Sequence, residues 1–119
     1  MTWGYHYHYD VAGCDKSKIT DKEHIRNFIQ ALVKSIDMTP MGEPIIEHIQ
    51  QEGTDAGVTA VQIITQSSIT AHFIDETGDL YLDVFSCKQF DVNTVKATVK
   101  IFFQPTKCAE YFITRQAPR

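Results

Sequence analysis

The chain has 119 residues, a net charge of −4, 43% hydrophobic and 22% charged residues, which allows one hydrophobic core but not two. The acidic balance, without a basic patch, argues against phosphate-driven nucleic-acid binding. No apolar run approaches the roughly 20 residues of a membrane-spanning helix. The start, Met1-Thr2-Trp3-Gly4-Tyr5-His6, is neither basic nor apolar enough for a signal peptide, so a cytoplasmic protein is expected. Cys14, Cys87 and Cys108 are odd in number and lack CxxC spacing, which fits reduced thiols better than a disulfide framework or a zinc site.

Residues 3–11 alternate strictly: Trp3, Tyr5, Tyr7, Tyr9 and Val11 against Gly4, His6, His8 and Asp10. Period two in aromatic residues predicts a strand with one apolar and one polar face. His6, His8 and Asp10 could supply metal ligands from that polar face, but a solvated or cleft-lining polar face is the commoner outcome, and no metal is expected. Residues 12–18 read as loop. Thr20-Asp21-Lys22-Glu23 reads as a capping box, and Ile25, Phe28, Ile29, Leu32, Val33 and Ile36 then recur at helical spacing. Residues 37–40, ending in Pro40, stop that helix.

Residues 45–50 read as a strand, 51–57 as a polar loop, and 58–65 as a β-branched central strand. Two further strands are expected at 69–74 and 80–86, with turn chemistry in Asp75-Glu76-Thr77-Gly78-Asp79 between them. Asp91 caps a second helix carrying Val92, Val95, Val99, Phe102 and Phe103, and Pro105 stops it. Residues 107–115 alternate as a last strand. The order strand, helix, four strands, helix, strand predicts a single α+β domain over 1–119. It is a two-layer α/β sandwich in which both helices cover one side of a largely antiparallel sheet.

Sequence signatures of general enzyme classes, such as GxGxxG, GK[ST], GxSxG and HExxH, are absent. His24 in a helix and His48 in a strand join no ligand set. Ser67, Ser68, Thr70, His72, Glu76, Asp83 and Cys87 remain, and from composition alone they are the polar face of a hairpin with an incidental thiol. Strand parity points Ser67 and His72, five residues apart, to opposite faces, so they could meet only if the backbone bends at 66–68.

The stretch from Val58 to Lys88 resembles the core of the bacterial and archaeal S-adenosylmethionine decarboxylase proenzymes. That family's Glu-Ser-His-x-x-x-His-Thr-Trp-Pro-Glu segment corresponds here to Gln66-Ser67-Ser68-Ile69-Thr70-Ala71-His72-Phe73-Ile74-Asp75-Glu76. Its Asp-x-Phe-Thr-Cys-Gly segment corresponds to Asp83-Val84-Phe85-Ser86-Cys87-Lys88. Gly4-x-His6 and Cys14-Asp15 also match. The resemblance implies a proenzyme that cleaves itself between Gln66 and Ser67, giving chains 1–66 and 67–119, the second beginning with a pyruvoyl group made from Ser67. His72 and Thr59 are implied as processing residues, Cys87 as proton donor, and Glu76 as a ligand of the substrate ribose. The pyruvoyl carbonyl would form a Schiff base with S-adenosylmethionine and stabilise the carbanion left by CO2. The implied role is decarboxylation for spermidine biosynthesis in a homodimer that needs no metal. Gln66, Ser68, Ile74-Asp75 and Lys88 depart from the family pattern. They leave open a decarboxylase of ornithine or arginine, or an uncleaved partner subunit.

Overall fold

In a computed structural model, residues 1–50 and 56–119 are described, and they form two layers. The elements are β1 (Gly4–Ala12), α1 (Lys16–Ile19), α2 (Lys22–Ser35), β2 (Ile45–Ile49), β3 (Gly57–Ile64), β4 (Ser67–Ile74), β5 (Asp79–Ser86), α3 (Val92–Phe103) and β6 (Lys107–Arg115). The strands make one sheet in the order β2-β3-β4-β5-β1-β6, and every neighbouring pair is antiparallel. The expected α+β sandwich is therefore observed, with one addition.

That addition is α1, a single turn inside the segment expected to be loop. Asp15 caps it by accepting a hydrogen bond from the Ser17 amide, and Thr20 closes it. Because Thr20 is occupied as the end of α1, the expected Thr20–Glu23 capping box does not form. Asp21, one residue later, accepts from the amides of Glu23 and His24 and starts α2. At the far end of α2, Asp37 takes a φ of 59°, and the chain turns before Pro40. The loop expected at 51–57 falls outside the described residues at 51–55, and Gly57 already belongs to β3.

One face of the sheet carries the core. Tyr7, Tyr9 and Val11 of β1 and Ile69, Ala71 and Phe73 of β4 meet Leu80, Leu82 and Val84 of β5. Phe28, Ile29 and Leu32 of α2 and Val95, Val99 and Phe103 of α3 cover them, as the 3.6-residue and two-residue periods require. Phe103 joins three elements: its ring centroid lies 4.8 Å from Phe28 and 5.0 Å from Phe73. Trp3 leaves the apolar face predicted for it. It precedes β1, remains half exposed and packs on Phe85, centroids 5.8 Å apart. Its close approach is possible because Gly4 has no Cβ, which would stand 3.0 Å from the Phe85 ring.

Among the described residues, no helix covers the opposite face. Cross-strand rows there place Ile63, Ser68, Phe85, His6 and Ile113 side by side. The next row holds Val61, Thr70, Asp83, His8 and Tyr111, and the one after it Thr59, His72, Tyr81, Asp10 and Ala109. Truncating Phe103 to Ala should cost about 3–5 kcal/mol, because it empties the meeting point of α2, α3 and β4. Denaturant unfolding followed by circular dichroism measures that loss.

Candidate active site

The β3–β4 hairpin has a two-residue turn, Thr65 and Gln66, between the paired ends Ile64 and Ser67. The turn is tied down from two sides. The Thr65 amide donates to the Thr39 carbonyl at 2.9 Å, and the Thr39 amide donates to Gln66 Oε1 at 3.2 Å. From the other side, the Cys87 amide donates to the Gln66 carbonyl at 2.9 Å. That contact engages the carbonyl of the peptide bond joining Gln66 to Ser67, and polarises it.

Ser67 itself has a φ of 155°, a backbone setting that residues other than glycine rarely adopt. Ser67 is nonetheless the first residue of β4 in unbroken register with β3 and β5, so the bend that would bring it to His72 is not present. Its cross-strand neighbours are Ile64 and Ser86, both buried on the helical side.

Cys87 stands just past β5, exposed, on a turn held by Ser86. The Ser86 hydroxyl, fully buried, donates to the Lys88 carbonyl at 2.7 Å and accepts from the Lys88 amide at 2.9 Å. Lys88 Nζ reaches across to the Asp37 carboxylate at 2.9 Å and the Asp37 carbonyl at 2.7 Å. Lys88, one of the departures from the family pattern, therefore fastens the Cys87 turn to the end of α2. The supporting roles of Ser86 and Asp37 are not legible in the sequence, because Asp37 meets Lys88 across 51 residues and Ser86 acts inside a buried turn.

His72 lies elsewhere. It shares a hydrogen bond of 3.2 Å with Thr59 Oγ1, its direct neighbour on β3, so this expected pair is brought together. Five residues of strand separate His72 from Ser67, roughly 16 Å at about 3.3 Å per residue. Glu76 is farther still, exposed in the β4–β5 turn at the opposite end of the hairpin from Cys87. Gln66, Ser67 and Cys87 gather at one end of the sheet, and Thr59, His72 and Glu76 at the other.

Between these ends, Asp83 draws in side chains from both neighbouring strands. His8 Nδ1 lies 2.5 Å and His6 Nε2 3.7 Å from its Oδ1, and Thr70 Oγ1 donates to its Oδ2 at 3.4 Å. Asp10, the carboxylate grouped with these histidines in the sequence, sits opposite Tyr81 in the next row. Burial, and after it the neighbouring His8, holds His6 below its ordinary pKa despite the opposing pull of Asp83. Of the remaining histidines, His24 meets the Phe102 carbonyl at 2.8 Å, and His48 lies between Asp75 at 2.8 Å and Gln50 at 3.4 Å.

A cavity of about 720 Å³ opens beside the Cys87 end, lined by Trp3, Phe85, Arg115 and the C-terminal residues. The Arg115 guanidinium lies 4.5 Å from the centre of the Phe85 ring. A cavity of this size with aromatic walls and the guanidinium groups of Arg115 and Arg119 in its lining is suited to a small molecule.

Comparison with known proteins places this geometry in context. Residues 5–116 match the family model described as S-adenosylmethionine decarboxylase. A relative from Archaeoglobus fulgidus, named S-adenosylmethionine decarboxylase proenzyme, is 25% identical over 118 residues, covering 97% of this chain and 99% of its own. One of the same name from Anoxybacillus flavithermus is 34% identical over 91 residues, covering 76% of this chain and 68% of its own. Among solved structures, the adenosylmethionine decarboxylase of Aquifex aeolicus superposes with a TM-score of 0.82 at 24% identity, over 99% of this chain and 94% of that one. It shares the fold.

The three thiols differ in accessibility. Cys14 is buried and its pKa is pushed up to about 11, first by burial and then by Asp79, whereas Cys87 and Cys108 are exposed. Iodoacetamide at mildly alkaline pH should therefore label Cys87 and Cys108 in the native protein and spare Cys14 until denaturant is added, as read by peptide mass spectrometry.

Proposed function

Since the chain belongs to the S-adenosylmethionine decarboxylase family, we propose that it is a self-cleaving proenzyme whose mature form decarboxylates S-adenosylmethionine to the aminopropyl donor for spermidine synthesis. The single domain, 1–119, becomes a β chain of residues 1–66 and an α chain of 67–119. The observation that carries this is the hydrogen bond from the Cys87 amide to the Gln66 carbonyl, at the one peptide bond the family resemblance marks for cleavage.

In processing, the Ser67 hydroxyl oxygen attacks the Gln66 carbonyl carbon, the C–N bond breaks, and the amide becomes an ester. The oxygen that takes up negative charge during attack is the one already facing the Cys87 amide. A base then removes the Ser67 α-proton, and the ester bond to the Ser67 side chain breaks, freeing the Gln66 carboxylate. Water hydrolyses the resulting enamine, releasing ammonia and leaving a pyruvoyl group at position 67. The backbone strain at Ser67, of order 1–3 kcal/mol, is relieved when its bond to Gln66 breaks. Gln66 in place of Glu does not obstruct this, since the reacting atom is a backbone carbonyl and the side-chain oxygen is engaged by Thr39.

The residues around Ser67 fit such a group: Ser67 is partly buried and follows a turn held by hydrogen bonds from both sides. When formed, the pyruvoyl carbonyl supplies an electron sink for the carbanion left by CO2. Cys87, exposed next to Gln66, is the proton donor to that carbon. Trp3 and Phe85 offer aromatic faces for the adenine, and the Arg115 guanidinium a partner for the substrate carboxylate.

His72, paired with Thr59, is the processing base, and Glu76 binds the ribose hydroxyls. Neither reaches Ser67 of its own chain. A homodimer in which the uncovered sheet faces stack about a two-fold axis brings the Thr59–His72–Glu76 end of one chain beside the Gln66 and Cys87 turns of the other; Ser67, whose row lies on the helical side, must turn toward that face for processing. Exposed Ile63, Tyr81, Tyr111 and Ile113 on that face support such a contact.

Mass spectrometry of purified protein should find fragments ending at Gln66 and beginning with a pyruvoyl-blocked position 67; intact chain after long incubation overturns self-cleavage. Labelled CO2 should be released from S-adenosylmethionine, and release from ornithine or arginine instead would reassign the substrate. Cys87→Ala should still cleave but lose turnover by about 10²–10⁴-fold. Neither Ser67→Ala nor His72→Ala should cleave alone. When the two are co-expressed, the His72→Ala chains should be cut, because the Ser67→Ala partner lends its His72; failure of that rescue would rule out the shared site.

A further inference from the structure

We propose that His6, His8 and Asp83 form a binding site for a zinc-class divalent cation on the sheet face opposite the helices. His6 and His8 stand two apart on β1 and rise from the same face, and Asp83 is the direct partner of His8 on β5. One donor atom from each of the three lies within 4.8 Å of the other two. A tetrahedral zinc ion with bonds of about 2.0–2.1 Å holds its ligand atoms about 3.3 Å apart. The 3.7 Å edge from His6 Nε2 to Asp83 Oδ1 closes by about 0.4 Å to meet this, and the 2.5 Å edge from His8 Nδ1 opens by about 0.8 Å. The proton now held between His8 and Asp83 is what the cation displaces.

The donors are already oriented. The two imidazoles lie against each other with centroids 4.0 Å apart and planes tilted by 39°, the His6 ring packs on Phe85 at 5.2 Å, and Thr70 donates to the second oxygen of Asp83. Two imidazole nitrogens and one carboxylate oxygen select zinc, cobalt or nickel over magnesium or calcium. The side chains are 19% (His6), 35% (His8) and 36% (Asp83) exposed, so a fourth position is open to water or to a group from another chain. The site shares no residue with Ser67, His72 or Cys87, so the cation braces β1 against β5 and takes no part in cleavage or decarboxylation.

Chelator-stripped protein titrated with Zn²⁺ in a calorimeter should take up one equivalent per chain. Co²⁺ in its place should give visible ligand-field bands without the ultraviolet absorption of a thiolate ligand. His8→Ala and Asp83→Asn should each weaken Zn²⁺ binding more than about tenfold, while His48→Ala and Cys108→Ser leave it unchanged. Three results would each overturn the site: no saturable uptake by the wild type, thiolate absorption with Co²⁺, or undiminished affinity in variants whose circular dichroism matches the wild type. His8→Gln serves if His8→Ala does not fold.

Discussion

The hydrogen bond from the Cys87 amide to the Gln66 carbonyl ties together two turns that are 21 positions apart in sequence. Everything around it serves to hold those turns in register. β4 and β5 pair along their whole lengths, so the end of β5 must arrive beside the start of β4. Ser86 closes the Cys87 turn from inside, Lys88 anchors it to Asp37, and Thr39 grips the Thr65–Gln66 turn. The end of α2 thus supports both sides of the bond. A carbonyl fixed by a backbone donor, next to a serine with a φ of 155°, is the geometry on which the proposed self-cleavage rests.

The two faces of the sheet divide the labour. The helical side carries the apolar packing and with it the stability. The other side carries hydroxyls, imidazoles and carboxylates in cross-strand rows, with aromatic and aliphatic side chains exposed among them. Such a face is costly to leave against water, and Thr59 and His72 lie at the end of the sheet away from Ser67 and Cys87. Both observations are what the proposed homodimer rests on.

Much of the fold was legible in the sequence because period alone determines which face of an element is buried. The stripe from Ile25 to Ile36 and the alternation from Tyr5 to Val11 behave as their spacing requires. The misreadings were local. Thr20 and Asp21 are both good helix caps, and only the formation of α1 decides between them. Trp3 continues the alternation on paper, but it lies before the strand begins, so nothing compels its ring to follow the parity. Thr59 and His72 meet because antiparallel register sets them opposite each other, which no spacing of 13 residues announces by itself.

Residue types and their order determined a two-layer α+β domain, an antiparallel hairpin at the centre, and Ser67, His72 and Cys87 at the spacing of a known family. The first two follow from local periodicity and turn chemistry, which act over a few residues; the third is what the family resemblance implies. Tertiary structure alone decided the company those residues keep. Gln66 and Cys87 are joined through the backbone, whereas Ser67 and His72 are held apart by the rigid rise of a strand. Asp83 rather than Asp10 meets the paired histidines, because the neighbouring strand, not the same one, sets the carboxylate in their row.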